Sequence, residues 1–203
     1  MASDRSEKHL DAALPFSDTN RHREGHAPPA ATGEDRDIVG AIARGDRREA
    51  LALCARLHGA SLGRLCMALL GSQAEADDAV QETLLAAHAG FGDFRSDGSL
   101  RAWLFGIARR RCARVRERRG TVKAETDATD ERTAHDLLEG RRRAERARDL
   151  LERVRPTERE ALLLRYGGEL SFREVGEAVG IDEATARKRV SRGLARLREL
   201  VKE

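Results

Sequence analysis

Residues 157–200 constrain the fold of this chain more than any other stretch, because their pattern is typical of short helices that meet at a glycine. Ser171 followed by Glu174 is a Ser-x-x-Glu capping box, which begins a helix by satisfying its free amide donors. Gly180 follows, and glycine most easily adopts the left-handed backbone of a sharp turn. Asp182 is then placed to cap a second helix. A short helix, a glycine turn and a second helix predict a helix-turn-helix.

The second of these helices has one apolar face and one basic face. The apolar residues recur at helical spacing: Ala186, Val190, Leu194, Leu197 and Val201. The other side carries Arg187, Lys188, Ser191 and Arg192. This face is either a solvated helix surface or a DNA-binding surface, and the clustering of basic residues favours DNA binding.

The composition favours small helical cores. Of the 203 residues, 36% are charged and only 3% are aromatic, which argues against a large β-sandwich. We therefore expect an all-α protein with two small helical domains joined by a flexible linker. The net charge is only +3, but the charges are segregated. An acidic cluster comprises Asp77, Asp78, Glu82, Asp93 and Asp97, and a basic run follows between positions 101 and 119. Two oppositely charged surfaces predict two different partners.

Changes in periodicity divide the chain into four parts. Residues 1–35 have no sustained period and predict a disordered N-terminal extension. Residues 36–119 show helical spacing and form the first predicted domain. Residues 120–136 have almost no large apolar side chains and predict a linker. Residues 137–203 form the second predicted domain, which contains the helix-turn-helix.

Four expectations concern helix ends. The glycines within 59–63 predict an interruption between two helical pieces. Ser72 and Ser99 are each placed to cap the helix that follows. Thr157 and Glu160 match a second capping box, directly after a helix-stopping proline.

Cys54, His58 and Cys66 form the one cluster that resembles a metal site. Their spacing matches no compact zinc pattern and offers no fourth ligand, so buried core cysteines are the favoured interpretation. These two cysteines and Cys112 form either a thiol switch or inert buried groups, and the lack of an activating site favours the second. No phosphate loop or nucleophile elbow is present. The prediction is a protein without catalytic residues, metal or cofactor, and not an enzyme.

Two aromatic residues each have two interpretations. Trp103 lies beside apolar residues at helical spacing, which favours a core position over base stacking. Phe94 lies in a polar loop, where it either anchors the loop or meets an unstacked base. Anchoring is the favoured role.

Three runs, in chain order, together resemble bacterial alternative sigma factors of the extracytoplasmic-function (ECF) group in the sigma-70-like family. Residues 74–85 are similar to the acidic region 2.2 helix. Residues 94–110 resemble the region 2.3 to 2.4 loop and its Trp-Leu-x-x-Ile-Ala-Arg helix. Residues 155–192 resemble region 4, which ends in the recognition helix.

The chain departs from the family pattern at several positions. Ala184 and Ala186 replace the usual Gly and Val, and Lys188 replaces the usual Ser, which changes the DNA sequence expected to be read. Gly176 stands where the family has Ile-Ala, so a looser first helix is expected. Arg110 replaces a common Asn.

The resemblance implies an alternative sigma factor that binds core RNA polymerase, recognises the −35 and −10 promoter elements and promotes DNA melting. The implied partners are the β′ clamp and β flap of core polymerase, promoter DNA and an anti-sigma factor. The implied core-binding residues are Asp77, Asp78, Gln81 and Glu82. The implied −10 and melting residues are Phe94, Arg95, Ser96, Asp97, Ser99, Arg101, Arg109, Arg110 and Arg114. The implied −35 residues are Thr185, Arg187, Lys188, Arg189, Ser191 and Arg192.

A cytoplasmic location is expected, because no apolar run has the length of a membrane span and the cysteines suggest no disulfide framework. Two other functions stay open from the residues alone. One is a stand-alone helix-turn-helix regulator, which would bind duplex DNA unaided. The other is a metal-dependent enzyme built on the Cys54 and His58 cluster. Both leave the acidic helix and the Trp103 segment unexplained.

Overall fold

The computed structural model describes residues 35–95, 98–121 and 146–202, and these residues form helices and turns with no β-strand among them. The N-terminal unit contains α1 (Asp35–Ala43), α2 (Arg47–Leu70), α3 (Gln73–Gly90) and α4 (Leu100–Thr121). The C-terminal unit contains a helix described over 146–152 (α5), α6 (Pro156–Leu162), a π-helical turn (Leu163–Gly167), α7 (Phe172–Val179) and α8 (Glu183–Lys202). The all-α prediction is confirmed.

Most of the predicted helix starts are confirmed. The Ser72 side chain accepts a hydrogen bond from the Glu75 amide at the start of α3. The Ser99 hydroxyl accepts one from the Ala102 amide at 3.2 Å and so caps α4. Both halves of the capping box at Ser171 are present. These starts were predictable because each bond joins residues three apart in the chain.

The predicted interruption of α2 is wrong. The helix runs through 59–63 without a break, from Arg47 to Leu70. Leu62 lies in this stretch and Leu65 follows it, and both are fully buried. A glycine inside a helix costs only about 1 kcal/mol relative to alanine, and the burial of two leucines outweighs that cost.

The second predicted capping box is also wrong. The helix α6 begins at Pro156 with Arg155 at the N-cap, and no side chain makes a capping hydrogen bond there. The Glu160 carboxylate instead accepts a hydrogen bond from Arg109 of α4, at 2.8 Å. Proline at the first helical position needs no amide partner, so this helix start tolerates the missing cap.

The turn of the helix-turn-helix depends on Gly176. Its carbonyl accepts hydrogen bonds from the Gly180 and Ile181 amides, at 2.8 and 2.9 Å. A Cβ atom at position 176 would lie 2.7 Å from the Ile181 carbonyl oxygen. The expectation of a looser helix is wrong, since α7 is a regular helix and the missing side chain allows the turn to fold closely onto it.

Gly176→Ala is expected to destabilise the fold by about 1–3 kcal/mol, because the added methyl would overlap a backbone atom that cannot rotate away. Gly59→Ala is the matched control: a Cβ there meets no atom within 4 Å, and alanine stabilises a helix interior by about 0.5–1 kcal/mol relative to glycine. Urea unfolding of the two variants and the unmodified chain would measure both changes. Equal effects of the two substitutions would contradict this account of the turn.

The two helical units pack against each other and share one buried core. Phe105 of α4 is fully buried, and it lies so close to Gly168 that a Cβ there would be 2.8 Å from its ring. Gly106 of α4 faces the Ala178 backbone of α7. Close approach at these two glycines places α4 directly against the helix-turn-helix. Among the described helices, none is both long and apolar enough to cross a membrane.

Candidate nucleic-acid and polymerase interfaces

The four predicted core-binding residues all lie exposed on α3: Asp77, Asp78, Gln81 and Glu82. Inward-facing alanines and Thr83 on the same helix are buried, so packing fixes which side faces solvent. Asp77 accepts a hydrogen bond from Gln73 at 2.8 Å. Glu82 pairs with Arg111 of α4 at 3.5 Å. The structure therefore presents an acidic face on α3 whose carboxylates are accessible.

Leu85 belongs to the same face and was missed in the sequence. It follows Asp78 by seven positions and Glu82 by three, which places it on the same side of the helix. Its side chain is 66% exposed, although its neighbour Leu84 packs against the core. Counting seven from Asp78 would have found it. A large exposed apolar side chain among carboxylates offers apolar contact area to a partner. The acidic face therefore comprises Asp77, Asp78, Gln81, Glu82 and Leu85.

The basic face of α8 is exposed as predicted at four positions: Arg187, Lys188, Ser191 and Arg192. Arg189 and Thr185 are half-buried. Thr185 also serves the helix start, because its amide and hydroxyl donate to the Asp182 carboxylate at 2.8 and 2.7 Å. These hydrogen bonds from Thr185 lower the pKa of Asp182. The cap fixes the first turn of α8 and thereby the direction of the basic face.

Arg187 is held in place by two contacts. Its guanidinium lies 4.5 Å from the centroid of the Phe172 ring of α7. It also donates to the Glu183 carboxylate, one turn earlier, at 2.7 Å. An arginine stacked on an aromatic ring loses less side-chain freedom when it binds a ligand.

Phe94 packs against Trp103, with ring centroids 5.3 Å apart, and the Phe91 ring lies 6.1 Å from the same indole. Both Phe94 and Trp103 are half-buried. This cluster supports the anchoring role of Phe94. Arg95 and Arg114 are exposed. Ser96 and Asp97 lie outside the described residues.

Two other predicted −10 residues are engaged by the C-terminal unit. The Ser99 hydroxyl donates to Glu174 and the Ser99 amide donates to Glu177, both at 3.0 Å. Arg109 donates to Glu160 at 2.8 Å, and both side chains are about three-quarters buried. Bonds between residues this distant in sequence have no signal in a single chain, and sequence reasoning missed them.

Arg101 is engaged in the same way. It donates to the backbone carbonyls of Gly168 and Glu169, at 3.0 and 3.3 Å. Arg64 of α2 adds an ion pair to the Glu169 side chain at 2.9 Å. Burial lowers the pKa of Arg110, and the positive charges of neighbouring arginines lower it further. While the two units are packed together, Ser99, Arg101 and Arg109 are hydrogen-bonded to the C-terminal unit and half-buried.

Of the candidate metal residues, Cys54 and His58 both interact with Asp35, whereas Cys66 contacts Cys112. His58 lies 2.8 Å from the Asp35 carboxylate, and both side chains are buried. Burial, and then the charge of Asp35, raise the pKa of Cys54 to about 12. The Cys66 and Cys112 side chains form a hydrogen bond. This hydrogen bond, and then burial, raise the pKa of Cys112. Within the described residues, no three such side chains are grouped as metal ligands.

Comparison with known proteins agrees with the order of these surfaces. Residues 54–121 match the family model for sigma-70 region 2, and residues 144–197 match that for sigma-70 region 4. The ECF RNA polymerase sigma factor EcfG of Rhodopseudomonas palustris is 31% identical over 149 residues, covering 70% of this chain and 79% of that protein. The chain belongs to the ECF group of sigma factors.

Two further relatives agree with this family. The ECF sigma factor SigM of Mycobacterium tuberculosis is 28% identical over 182 residues, covering 87% of this sigma factor and 92% of SigM. The structure of the sigma factor RpoE of Bartonella quintana, in complex with the anti-sigma factor NepR, superposes with a TM-score of 0.57 at 26% identity. That match covers 77% of this chain and 97% of RpoE. The protein is therefore an alternative sigma factor, a class that acts with RNA polymerase on promoter DNA and is not a family of enzymes.

Proposed function

We propose that the acidic face of α3 is the surface that docks on the β′ clamp of core polymerase, while the C-terminal unit contacts the β flap. The exposed carboxylates of Asp78 and Glu82 support this, since they suit a basic partner. Leu85 beside them supplies apolar contact area. Charge complementarity would set the rate and register of docking, and burial of Leu85 in the complex would slow dissociation.

The basic face of α8 is proposed to enter the major groove at the −35 element. Arg187 is the best-positioned residue for base contacts, because Phe172 and Glu183 already orient its guanidinium. Arginine binds a guanine edge through two hydrogen bonds. Arg189 lies half-buried on the flank and is proposed to hold phosphate, which positions the helix without specifying sequence.

Arg187→Ala is expected to relax base preference at one −35 position by roughly 1–3 kcal/mol, which is the usual worth of one paired arginine–guanine contact. Arg198→Ala is a suitable control, since that exposed arginine lies about three turns further along α8, outside the proposed −35 residues. Selection of −35 sequences by reconstituted holoenzyme would measure the preference. Unchanged preference at every position would show that Arg187 does not read bases.

The remaining proposed residues serve the −10 element: Phe94, Arg95, Ser96, Asp97, Ser99, Arg101, Arg109, Arg110 and Arg114. We propose that the packed arrangement of the two units is the state of the free sigma factor. The observation that carries this proposal is the engagement of Ser99 and Arg109 by carboxylates of the C-terminal unit. Binding to core polymerase would separate the units and release these groups. Free sigma factor would then melt DNA poorly.

An anti-sigma factor is the proposed inhibitor, because RpoE of Bartonella quintana was solved with the anti-sigma factor NepR. Such a partner would cover the acidic face or hold the two units together. We also propose that the sigma factor acts in the cytoplasm, where its polymerase and DNA partners would be found.

A further inference from the structure

A cavity of about 230 Å³ lies where the N-terminal and C-terminal units meet. The ends of α2 and α4 form one wall, and α5 and α6 form the other. Eleven residues line it: Ala68, Leu69, Leu70, Gly71, Arg116, Arg119, Arg148, Leu151, Glu152, Arg159 and Leu163. None of them belongs to the acidic face, to the basic face of α8 or to the proposed −10 residues.

The residues that line the cavity carry an excess of positive charge, because they include four arginines and one carboxylate, that of Glu152. Arg119 is already satisfied, because it donates to the Glu75 carboxylate at 2.8 Å and to the Leu70 carbonyl at 2.9 Å. By contrast, Arg116, Arg148 and Arg159 form no ion pair with any carboxylate that the structure describes. Among the described residues, the one carboxylate whose charge acts on any of these three guanidinium groups is Glu152, which acts on Arg159.

These three arginines come from both units. Arg148 of α5 crosses to the end of α2, where a Cβ at Gly71 would lie 3.6 Å from its Cδ atom. Arg159 of α6 is close enough to Arg116 of α4 for their charges to interact. Burial lowers the pKa of Arg159, and the Arg116 charge lowers it further, although Glu152 acts in the opposite direction.

Three leucines, Leu69, Leu151 and Leu163, supply part of the lining beside the arginines. Apolar walls reduce the local dielectric and strengthen attraction between guanidinium groups and an anion. The cavity is smaller than the roughly 300–1,000 Å³ typical of pockets for organic ligands. Its size favours a small anion with several acceptor oxygens.

We propose that this cavity binds a phosphate-type anion, such as pyrophosphate or the phosphate end of a nucleotide. Planar guanidinium groups bind phosphate oxygens through paired, charge-assisted hydrogen bonds. A bound anion would replace the repulsion between Arg116 and Arg159 with attraction to a common partner. Because Arg116 belongs to one unit and Arg148 and Arg159 to the other, the anion favours the packed arrangement. Its binding therefore opposes promoter recognition, a consequence that rests on the proposed opening of the two units.

Calorimetric titration of the full chain with pyrophosphate would test the site. We expect saturable binding of one anion per chain, and affinity at least about tenfold weaker in Arg148→Gln and in Arg159→Gln, since each loses a charge-assisted hydrogen bond. Arg56→Gln is the matched control, because it removes one exposed charge of α2 away from the cavity. Arg148→Lys keeps the charge but lacks the planar guanidinium, so its affinity for pyrophosphate should fall between that of the unmodified chain and that of Arg148→Gln. Absence of saturable binding, or equal affinity in all four variants, would overturn the proposal.

Two further measurements check that the variants fold and distinguish a small phosphate-type anion from the phosphates of the DNA backbone. Circular dichroism checks that each variant folds, and the anion should raise the melting temperature of the unmodified chain but not of Arg159→Gln. If these arginines instead served only the DNA backbone, the variants would lose promoter affinity while pyrophosphate gave no saturable heat, which would refute the site. The titration contains no polymerase. Failure of the proposed core docking would therefore leave its result unchanged.

Discussion

Asp78→Lys is expected to weaken binding of the sigma factor to core polymerase by at least about a hundredfold, because like charges placed together in an interface cost several kcal/mol. Asp78 lies exposed in the middle of the acidic face, so the substitution changes no described packing contact. Glu82→Lys would also weaken binding, but it breaks the ion pair with Arg111 within the sigma factor, so its effect would combine two causes. Asp78 is therefore the better residue for this test.

Asp37→Lys is the control for Asp78→Lys, since it reverses an exposed carboxylate of α1 outside the acidic face. Co-migration of labelled sigma factor with purified core polymerase would give both affinities. A second variant, Leu85→Ala, should mainly speed dissociation, because it removes apolar contact area and leaves the charges in place. Equal core affinity of Asp78→Lys and Asp37→Lys would show that this face does not dock.

The second large effect is expected when the contact between the two units is weakened. The double substitution Glu160→Gln with Glu177→Gln should raise the affinity of the free sigma factor for single-stranded −10 DNA about tenfold. It weakens two partly buried hydrogen bonds, to Arg109 and to the Ser99 amide. If the two substitutions together weaken the contact by about 1.4 kcal/mol, the fraction of open molecules rises about tenfold. Neither substitution removes a residue proposed to contact DNA.

Glu199→Gln is the matched control for this variant, since it removes an exposed carboxylate whose ion pair, with Arg196, stays within α8. Fluorescence anisotropy with non-template oligonucleotides would measure affinity, and energy transfer between labels on the two units would measure their separation. An increase in separation with no gain in affinity would mean that the packed arrangement does not restrain −10 recognition.

Local sequence signals predicted the features that depend on neighbouring residues. The capping box at Ser171, the cap at Ser99 and the exposed side of α3 follow from bonds and spacings within one helix. The continuity of α2 across Gly59 was not predictable in this way, because burial against other helices overrides a weak local preference. Glu160 illustrates the same limit: its local pattern predicted a cap, but its partner is Arg109.

The candidate surfaces show a similar division. The charge pattern indicated the acidic face, yet Leu85 was missed because a search for charged residues passes over an apolar residue seven positions after Asp78. The contacts of Ser99 with Glu174 and Glu177 join residues more than seventy positions apart. Such pairs become visible only when the packing of the two units is known.

The most direct test of the central claim is run-off transcription with bacterial core polymerase on a pool of upstream fragments, with and without this sigma factor. We predict specific transcripts that appear only when it is added and that disappear with Asp78→Lys but not with Asp37→Lys. Their start sites would also give both promoter elements. No association with core and no transcripts, together with tight unaided binding to a palindromic duplex, would contradict the account and indicate a stand-alone regulator.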